Sequence, residues 1–312
     1  MKLRRWLSEH LGRESLVLLA VLALLVLALA MPRWKLPQDT YDFVVIFDIT
    51  QSMDVEDYEL EGSPASRLVY ARNSARAALG RLPCGSRVGW GAFAEYRSLL
   101  LLSPVEVCEN YNDLLASLDN IDGRMRWANA SEVGKGAYWA VRMAMNADPR
   151  PDVIFISDGH EAPPLDPTSS FSMPDDVQPG QIRGWVLGAG GEAPLPIPRT
   201  DDDERRVGYW NAHDVIQLVS ADGKRIVSAE QLSALREPHL KAIAERVGFS
   251  YARLSGPGSV AAAMLDPRFV RREKAPVDLY WLPVAAALLL LLIRFRPDSW
   301  RLSAVLPRLR QH

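Results

Sequence analysis

Three oxygen-bearing side chains follow one apolar run at a spacing that could bind a cation. Residues 43 to 47 are all β-branched or aromatic, which predicts a strand buried on both faces of a parallel sheet. Asp48, Thr50 and Ser52 follow it directly. Ligands bind at the carboxyl ends of strands in open α/β sheets, and one carboxylate with two hydroxyls suits a hard cation such as Mg²⁺ or Ca²⁺. The sequence therefore predicts a metal site at this strand end.

Two more oxygen-bearing residues stand where further ligands of such a site could lie. Asp158 follows another apolar run, residues 152 to 157, which predicts a second buried strand. Ser131 precedes an apolar stripe of helical spacing within a helix predicted over residues 127 to 145. Two alternatives stay open: Ser131 could be only the N-cap of that helix, and the turn after Asp48 could hold no ion.

Together these residues resemble the three metal-binding motifs of von Willebrand factor A domains. The D-x-S-x-S motif of that family corresponds to Asp48, Thr50 and Ser52, the loop threonine to Ser131, and the strand-end Asp-Gly to Asp158 and the next residue. The resemblance implies one divalent cation, Mg²⁺ or Ca²⁺, held directly by the first four residues and through water by Asp158. A haloacid-dehalogenase-type phosphotransferase would instead need a second aspartate where Thr50 stands.

Four polar residues near these motifs are candidates for a rim that contacts a partner. Asp54 and Asp57 belong to the acidic loop after the first strand, and His160 and Glu161 adjoin the second. A metal-dependent hydrolase would need a general base within reach of the ion, and the motifs offer none beyond His160 and Glu161. We therefore expect a binding protein rather than an enzyme, with hydrolysis as the alternative.

The two cysteines flank a predicted hairpin. Strands are predicted over residues 87 to 93 and 98 to 102, joined by a short turn. Cys84 and Cys108 stand at positions symmetric about residue 96, so they face each other across an antiparallel pair. This predicts a disulfide, which a compartment outside the cytoplasm permits. Two free buried thiols are the alternative.

Two uncharged apolar runs predict membrane-spanning helices on either side of the domain. Residues 15 to 31 form the first and residues 279 to 293 the second. At about 1.5 Å per residue they cover roughly 25 Å and 22 Å of a ~30 Å hydrocarbon core. A cleaved signal peptide is the alternative for the first run, and a buried core helix for the second.

Basic residues in the two tails predict the orientation. Residues 1 to 14 contain four Lys or Arg and residues 294 to 312 contain five Arg, so the positive-inside rule places both tails in the cytoplasm and the domain outside it. In the bacterial inner membrane, which the resemblance described below implies, the domain would lie in the periplasm. Leaving out the nine basic and three acidic tail residues reduces the 36 basic and 38 acidic residues of the chain to 27 and 35, a net charge of −8. We expect no nucleic-acid binding from so acidic a domain.

The order of apolar runs predicts a doubly wound, mainly parallel α/β sheet of the Rossmann-like kind, with an edge hairpin, over residues 40 to 265. A linker over residues 32 to 39 joins this domain to the first membrane span. A β-rich insertion of unassigned role is predicted at about residues 192 to 230.

The DITQSM stretch and the glycines followed by Pro-Ile-Pro resemble membrane-anchored A-domain proteins, BatA/BatB-like and MxaL-like, that accompany MoxR-type AAA+ ATPases. The resemblance implies a protein partner whose Asp or Glu carboxylate completes the ion's coordination, in the assembly, maturation or metal insertion of a periplasmic enzyme. The ATPase and other A-domain proteins are further expected partners. A membrane scaffold without any ion is the alternative.

Overall fold

The structure is a computed structural model that describes residues 13–31, 34–165, 174, 176–201, 203, 205–217, 229–277 and 279–295. It divides into two compact units, one over residues 37–274 and one formed by the residues on either side of that range.

The strands are β1 (Trp34–Thr40), β2 (Asp42–Asp48), β3 (Tyr58–Leu60), β4 (Ser63–Ala65), β5 (Arg87–Ala94), β6 (Arg97–Glu106), β7 (Asp152–Ser157), β8 (Gly184–Gly188), β9 (Leu195–Pro196), β10 (Pro198–Thr200), β11 (Arg206–Tyr209), β12 (Leu232–Ser233), β13 (Ser250–Arg253) and β14 (Arg271–Val277). The helices are α1 (Arg13–Ala30), α2 (Arg67–Leu79), α3 (Tyr111–Asp119), α4 (Val133–Met145), α5 (Glu237–Val247), α6 (Ser259–Met264) and α7 (Trp281–Arg294).

A six-stranded sheet, in the order β13-β8-β7-β2-β5-β6, organises the larger unit. Its first five strands run parallel to one another, and β6 pairs antiparallel with β5. The predicted mainly parallel α/β sheet with an edge hairpin is therefore confirmed. From β2 the chain winds outward through β5 and β6, then returns to β7 and winds outward through β8 and β13. The carboxyl ends of β2 and β7 thus flank the topological switch point, where open α/β sheets bind ligands.

Helices cover both faces of this sheet. Phe43, Val45 and Phe47 pack into one apolar cluster with α2, α3 and α6, while Val44 and Ile46 pack into a second cluster with α4 and α5. Because both faces are covered, every residue of β2 is buried, which explains its unbroken apolar sequence.

Two helices begin later than the sequence predicts. The sequence Ser63-Pro64 is typical of an N-cap followed by proline at the first helical position and so predicts the start of the domain's first helix there. This prediction is wrong: Ser63 to Ala65 pairs with Tyr58 to Leu60 as a small hairpin, and Ser66 Oγ accepts the capping hydrogen bond from Val69 N. The helix predicted from residue 127 begins only at Val133, after a non-helical segment.

The described part of the insertion consists of two small β-ribbons. β10 pairs antiparallel with β11, and β9 pairs antiparallel with β12. The two ends of the insertion meet, because the backbone N–H of Leu235 donates to the carbonyl oxygen of Gly191 at 2.8 Å. The chain therefore leaves and re-enters the α/β unit at nearly the same point.

The hairpin of β5 and β6 is closed by a disulfide. The Sγ atoms of Cys84 and Cys108 lie 1.95 Å apart and their Cα atoms 5.3 Å apart. This is the bridge that the symmetry of the hairpin predicts.

The smaller unit contains the apolar helices α1 and α7. Within the described residues, none of the helices has the length and apolarity needed to cross a membrane. The spans over residues 15–31 and 279–293 stay predictions. Most of both basic tails, residues 1–12 and 296–312, lies outside the described residues.

Candidate metal centre

The two predicted aspartate ligands lie at the switch point of the sheet. Asp48 is the last residue of β2, and Asp158 directly follows β7, the neighbouring parallel strand. Both side chains are fully buried. The topology therefore brings together two carboxylates that are 110 residues apart in the sequence.

A chain of hydrogen bonds joins these aspartates through the predicted hydroxyl ligands. Oδ1 of Asp48 accepts from the backbone N–H of Thr50 at 2.9 Å and from its Oγ1 at 2.6 Å, and Oδ2 accepts from Ser157 Oγ at 2.7 Å. Oγ1 of Thr50 lies 3.2 Å from Ser52 Oγ, which donates to Asp158 Oδ1 at 3.2 Å. Four of the five predicted ligands thus form one connected group.

The fifth predicted ligand, Ser131, has a hydroxyl group without a protein partner. Ser131 is only 2 % exposed, yet its Oγ makes no hydrogen bond within the part of the chain that the structure describes. It does not cap the following helix, whose N-cap residue is Glu132. Its backbone is instead fixed by two hydrogen bonds with Ala162, of 2.7 and 2.8 Å. A buried hydroxyl without a partner costs free energy, so this loop holds in place an oxygen that the protein itself does not use.

Ser131 lines the same cavity as the other two predicted hydroxyl ligands. It has a volume of about 260 Å³, and its lining includes Thr50, Ser52, Ser131, His160 and Glu161. The three predicted hydroxyl ligands therefore face one common space, although the sequence places Ser131 about 80 residues from the others.

A buried arginine balances the charge of Asp158. Arg67, the first residue of α2, donates from Nη1 to Asp158 Oδ2 at 2.7 Å and from Nη2 to Asp57 Oδ2 at 2.7 Å. Ser233 Oγ also donates to Asp158 Oδ2 at 2.7 Å. Burial alone would raise the pKa of Asp158, but the Arg67 guanidinium, the His160 side chain and the hydrogen bonds from His160 N–H and Ser233 Oγ together outweigh burial and hold this pKa below its usual range. Asp158 is therefore ionised and already paired.

Among the described residues, Asp48 has no such counter-charge. Its burial, followed by the nearby negative charge of Asp158, raises the pKa of Asp48 to about 7, against the hydrogen bonds from Thr50 and Ser157, which lower it. A cation placed beside Asp48 would remove this penalty, because an opposite charge favours the ionised form.

The residues present fit a divalent cation of the hard, oxygen-binding type. The donor set consists of carboxylate and hydroxyl oxygens, Ser131 Oγ has no hydrogen-bond partner among the described residues, and Asp48 is a buried carboxyl group without a basic partner in the same part of the chain. Asp48, Thr50, Ser52 and Ser131 would hold the ion, and Asp158 is close enough to Ser52 to belong to the same group.

The four candidate rim residues divide into two pairs. Asp54 accepts from Arg126 Nη2 at 2.9 Å and Asp57 is held by Arg67, so both carboxylates are engaged in ion pairs within the domain. His160 and Glu161 do line the cavity. These two are the rim residues that the structure brings to the site.

His160 and Glu161 are themselves largely fixed. The backbone N–H of His160 donates to Asp158 Oδ1 at 3.0 Å, and its buried Nδ1 has no partner. Glu161 Oε1 accepts from the N–H of Val133 at 3.1 Å and lies 2.7 Å from His239 Nε2. Glu161 thereby anchors the start of α4 next to Ser131.

The sequence prediction missed Arg67, Ser157 and Ser233, which support the ligands rather than forming the cation site. The sequence indicates Arg67 only weakly, because it is a charged residue in the buried first turn of a helix. Ser157 ends the apolar run of β7, and nothing in that run marks it as a site residue. Ser233 lies at the site only because the chain returns there after the insertion. No local pattern marks the last two.

No protein-family model matches this chain, and no curated protein matches it. Solved structures similar to it include an aerotolerance-related membrane protein from Bacteroides fragilis, with 18% identity over 72% of this chain and 96% of that chain and a TM-score of 0.49. They also include the conserved hypothetical protein BatB from Bacteroides thetaiotaomicron, with 20% identity over 72% and 94% and a TM-score of 0.47. A third is a von Willebrand factor type A protein from Catenulispora acidiphila, with 12% identity over 74% and 49% and a TM-score of 0.41. The solved structures similar to this chain thus include BatB and a von Willebrand factor A protein, the two kinds of protein that its motifs resemble.

Proposed function

We propose that this chain is a cation-dependent protein-binding domain whose metal site lies between the carboxyl ends of β2 and β7. The observation that carries the proposal is the buried Oγ of Ser131, which has no hydrogen-bond partner among the described residues, on a residue that lines the same cavity as Thr50 and Ser52. A bound Mg²⁺ or Ca²⁺ would supply an electrophilic centre to which an Asp or Glu carboxylate of a partner protein could bind.

The charges around the site support the recognition of an anion. Arg67 pairs with Asp158 and with Asp57, so these three side chains together carry one negative charge, and Asp48 is the predicted carboxylate ligand that has no ion pair among the described residues. A divalent cation bound by one uncompensated carboxylate keeps a net positive charge. That charge favours an additional carboxylate from outside the domain.

The resemblance in the motifs extends the proposal to the cellular role. We propose that the domain is attached to the bacterial inner membrane, faces the periplasm, and acts in the assembly, maturation or metal insertion of a periplasmic enzyme together with a MoxR-type ATPase. A pull-down from native membranes, with and without a chelator, would identify the metal-dependent partner.

Calorimetric titration of the full chain in detergent with Mg²⁺ and Ca²⁺ tests the metal site directly. Asp48→Asn should abolish measurable binding. Asp42→Asn is the matched control, because Asp42 is a buried aspartate at the opposite end of the same strand, where it pairs with Arg87. Equal cation affinity in wild type and Asp48→Asn, with the variant folded, would rule out the proposed site.

Ser131→Ala separates ion binding from folding. Because Ser131 Oγ makes no hydrogen bond to any described residue, its removal should leave the free energy of unfolding of the metal-free protein unchanged or slightly raised, while cation affinity falls by about tenfold or more. Ser74→Ala is the control: this buried Oγ donates to a helix carbonyl, so its loss should lower stability and leave cation affinity unchanged.

A further inference from the structure

The insertion supplies an apolar wall to the cavity above the proposed metal site. Ile197, Trp210, Val215 and Ile216, here called the apolar wall, line the cavity together with the three predicted hydroxyl ligands. Ile197 is buried, Trp210 and Val215 are half-buried, and Ile216 is 67% exposed. The cavity thus combines a polar surface that fits a cation with an apolar surface from a different part of the chain.

The wall is tied to the loop that carries the hydroxyl ligands. Nε1 of Trp210 donates to Oε1 of Gln51, the residue between Thr50 and Ser52. The backbone N–H of Trp210 donates to the carbonyl oxygen of Ile197 at 3.1 Å, and the guanidinium of Arg199 lies 5.0 Å from the centre of the Trp210 ring. These contacts fix the indole beside the proposed metal ligands before any partner binds.

The size and charge of the cavity restrict what can enter it. Its volume of about 260 Å³ lies below the ~300–1,000 Å³ of small-molecule pockets, so it suits one or two side chains rather than a folded element. Glu161, Asp214 and Glu230 also belong to its lining. Without a cation these carboxylates repel an acidic ligand, and with one they still disfavour a second acidic residue.

We infer that the cavity recognises an acidic residue next to a bulky apolar residue in an extended segment of the partner protein. This inference rests on the proposed cation site: the carboxylate binds at the hydroxyl-lined surface, and the neighbouring leucine-, isoleucine- or phenylalanine-sized side chain packs against Trp210 and Ile216. The insertion is therefore the element that determines specificity, and the cation site is the element that determines affinity for the carboxylate.

The probe for this inference is a library of fluorescent pentapeptides with acetylated N-termini, amidated C-termini and glutamate fixed at the centre. The full chain in detergent is titrated with the library in Mg²⁺ and in EDTA. Wild type should bind, in Mg²⁺ only, those peptides with an apolar residue beside glutamate, and should disfavour those with a second acidic residue. A parallel set with free C-termini and no glutamate tests whether a terminal carboxylate is the preferred ligand, which would contradict the inference.

Two exposed apolar residues of the insertion provide matched variants. Ile216→Ser removes part of the cavity wall and should weaken the selected peptides by about tenfold while leaving Mg²⁺ affinity unchanged. Val207→Ser is the control, since Val207 is 60% exposed and lies on β11 rather than among the cavity-lining residues; it should leave peptide affinity unchanged. Both positions are exposed, so both variants should fold.

The outcomes distinguish the inference from the proposed function. Mg²⁺-dependent binding of all glutamate peptides alike, or equal effects of Ile216→Ser and Val207→Ser, would overturn the inference while leaving the cation site in place. Binding that is the same in Mg²⁺, in EDTA and in Asp48→Asn would overturn the proposed function and the inference with it.

Discussion

In the proposed metal site, protons and cations would compete for the carboxylate oxygens of Asp48. Burial and the nearby Asp158 raise its pKa to about 7 in the folded protein, against about 3.9 in an unfolded chain. The folded state therefore binds more protons than the unfolded state between these two values. In the metal-free protein this contribution to stability is complete below about pH 4 and is lost as the pH rises through about 7.

The first prediction follows from this competition. Because a cation must displace the proton of Asp48, Mg²⁺ affinity should rise by up to about tenfold per pH unit below about pH 7 and level off above it. Calorimetry from about pH 5.5 to about pH 8.5 measures this, with Ser131→Ala as a control that lowers affinity but keeps the slope. Affinity that does not change between pH 5.5 and 7 would contradict the prediction.

Arg67 is the residue on which the charge balance of the site depends. Its side chain is fully buried and pairs with Asp57 and Asp158. Arg67→Met would leave two buried carboxylates without their cation, so we expect a loss of about 3–5 kcal/mol in the free energy of unfolding. Urea denaturation measures this loss.

The control for Arg67 lies on the same helix. Arg76 pairs with Asp119 at the surface, where the two side chains are 40% and 56% exposed, so Arg76→Met should cost less than about 1 kcal/mol. Similar losses for both variants would show that the buried ion pair does not support the fold in the manner described.

Among the elements, α4 is placed by one close contact with the sheet. A Cβ added to Gly136 would lie 2.3 Å from a ring carbon of Phe93, and Ser98 Oγ donates to the Gly136 carbonyl oxygen at 2.9 Å. The helix therefore packs directly on β5 and β6. Since α4 begins two residues after Ser131, this contact also positions the Ser131 loop.

Gly136→Ala should reveal this contact. Alanine favours a helix by about 1 kcal/mol over glycine, but the overlap with Phe93 should make the variant less stable by about 1–3 kcal/mol and lower its Mg²⁺ affinity. Gly256→Ala is the control, because nothing lies within 4 Å of an added Cβ there. Thermal unfolding and calorimetry provide the two measurements, and a stabilised Gly136→Ala would contradict the close packing.

The sequence predicts a helix or strand well where the local pattern of apolar residues shows which positions are buried. β2 and β7 were predictable because strands covered on both faces are apolar at every position, and their ends mark the switch point. The start of α2 was not, since Ser63 and Ser66 are both suitable caps and only the pairing of β4 with β3 excludes the first. The segment before α4 is likewise non-helical because Ser131 pairs with Ala162, a contact between distant residues.

The residues of the site also divide into those that a local sequence pattern marks and those that it does not. Asp48, Thr50, Ser52, Ser131 and Asp158 are marked by their positions at strand ends and a helix start, so motif and topology together bring them to one place. The supporting ion pairs and the apolar wall are not marked, because each depends on a contact across the chain, such as Trp210 with Gln51 over 159 residues. Sequence patterns report local periodicity and not such partners.

For the molecule as a whole, the predicted membrane topology is open to a direct test. We expect reporter fusions after His312 to indicate the cytoplasm and fusions within residues 166 to 179 to indicate the periplasm, because both tails are basic and the region between is acidic. Paired alkaline phosphatase and green fluorescent protein fusions give opposite signals at each point. A cytoplasmic signal from residues 166 to 179 would overturn the placement.

The junction at which Leu235 N–H bonds to the Gly191 carbonyl oxygen has a consequence for how such proteins could diversify. A segment whose two ends already meet can be exchanged or lengthened without moving the sheet, and each doubling of its length costs only about 0.6 kcal/mol in closure entropy. We call the stretch between Gly191 and Leu235 a cassette, because it can be replaced as one piece. Grafting a different cassette onto the same strand ends would give a chain that keeps the proposed cation site and acquires a new specificity for the proposed protein partner.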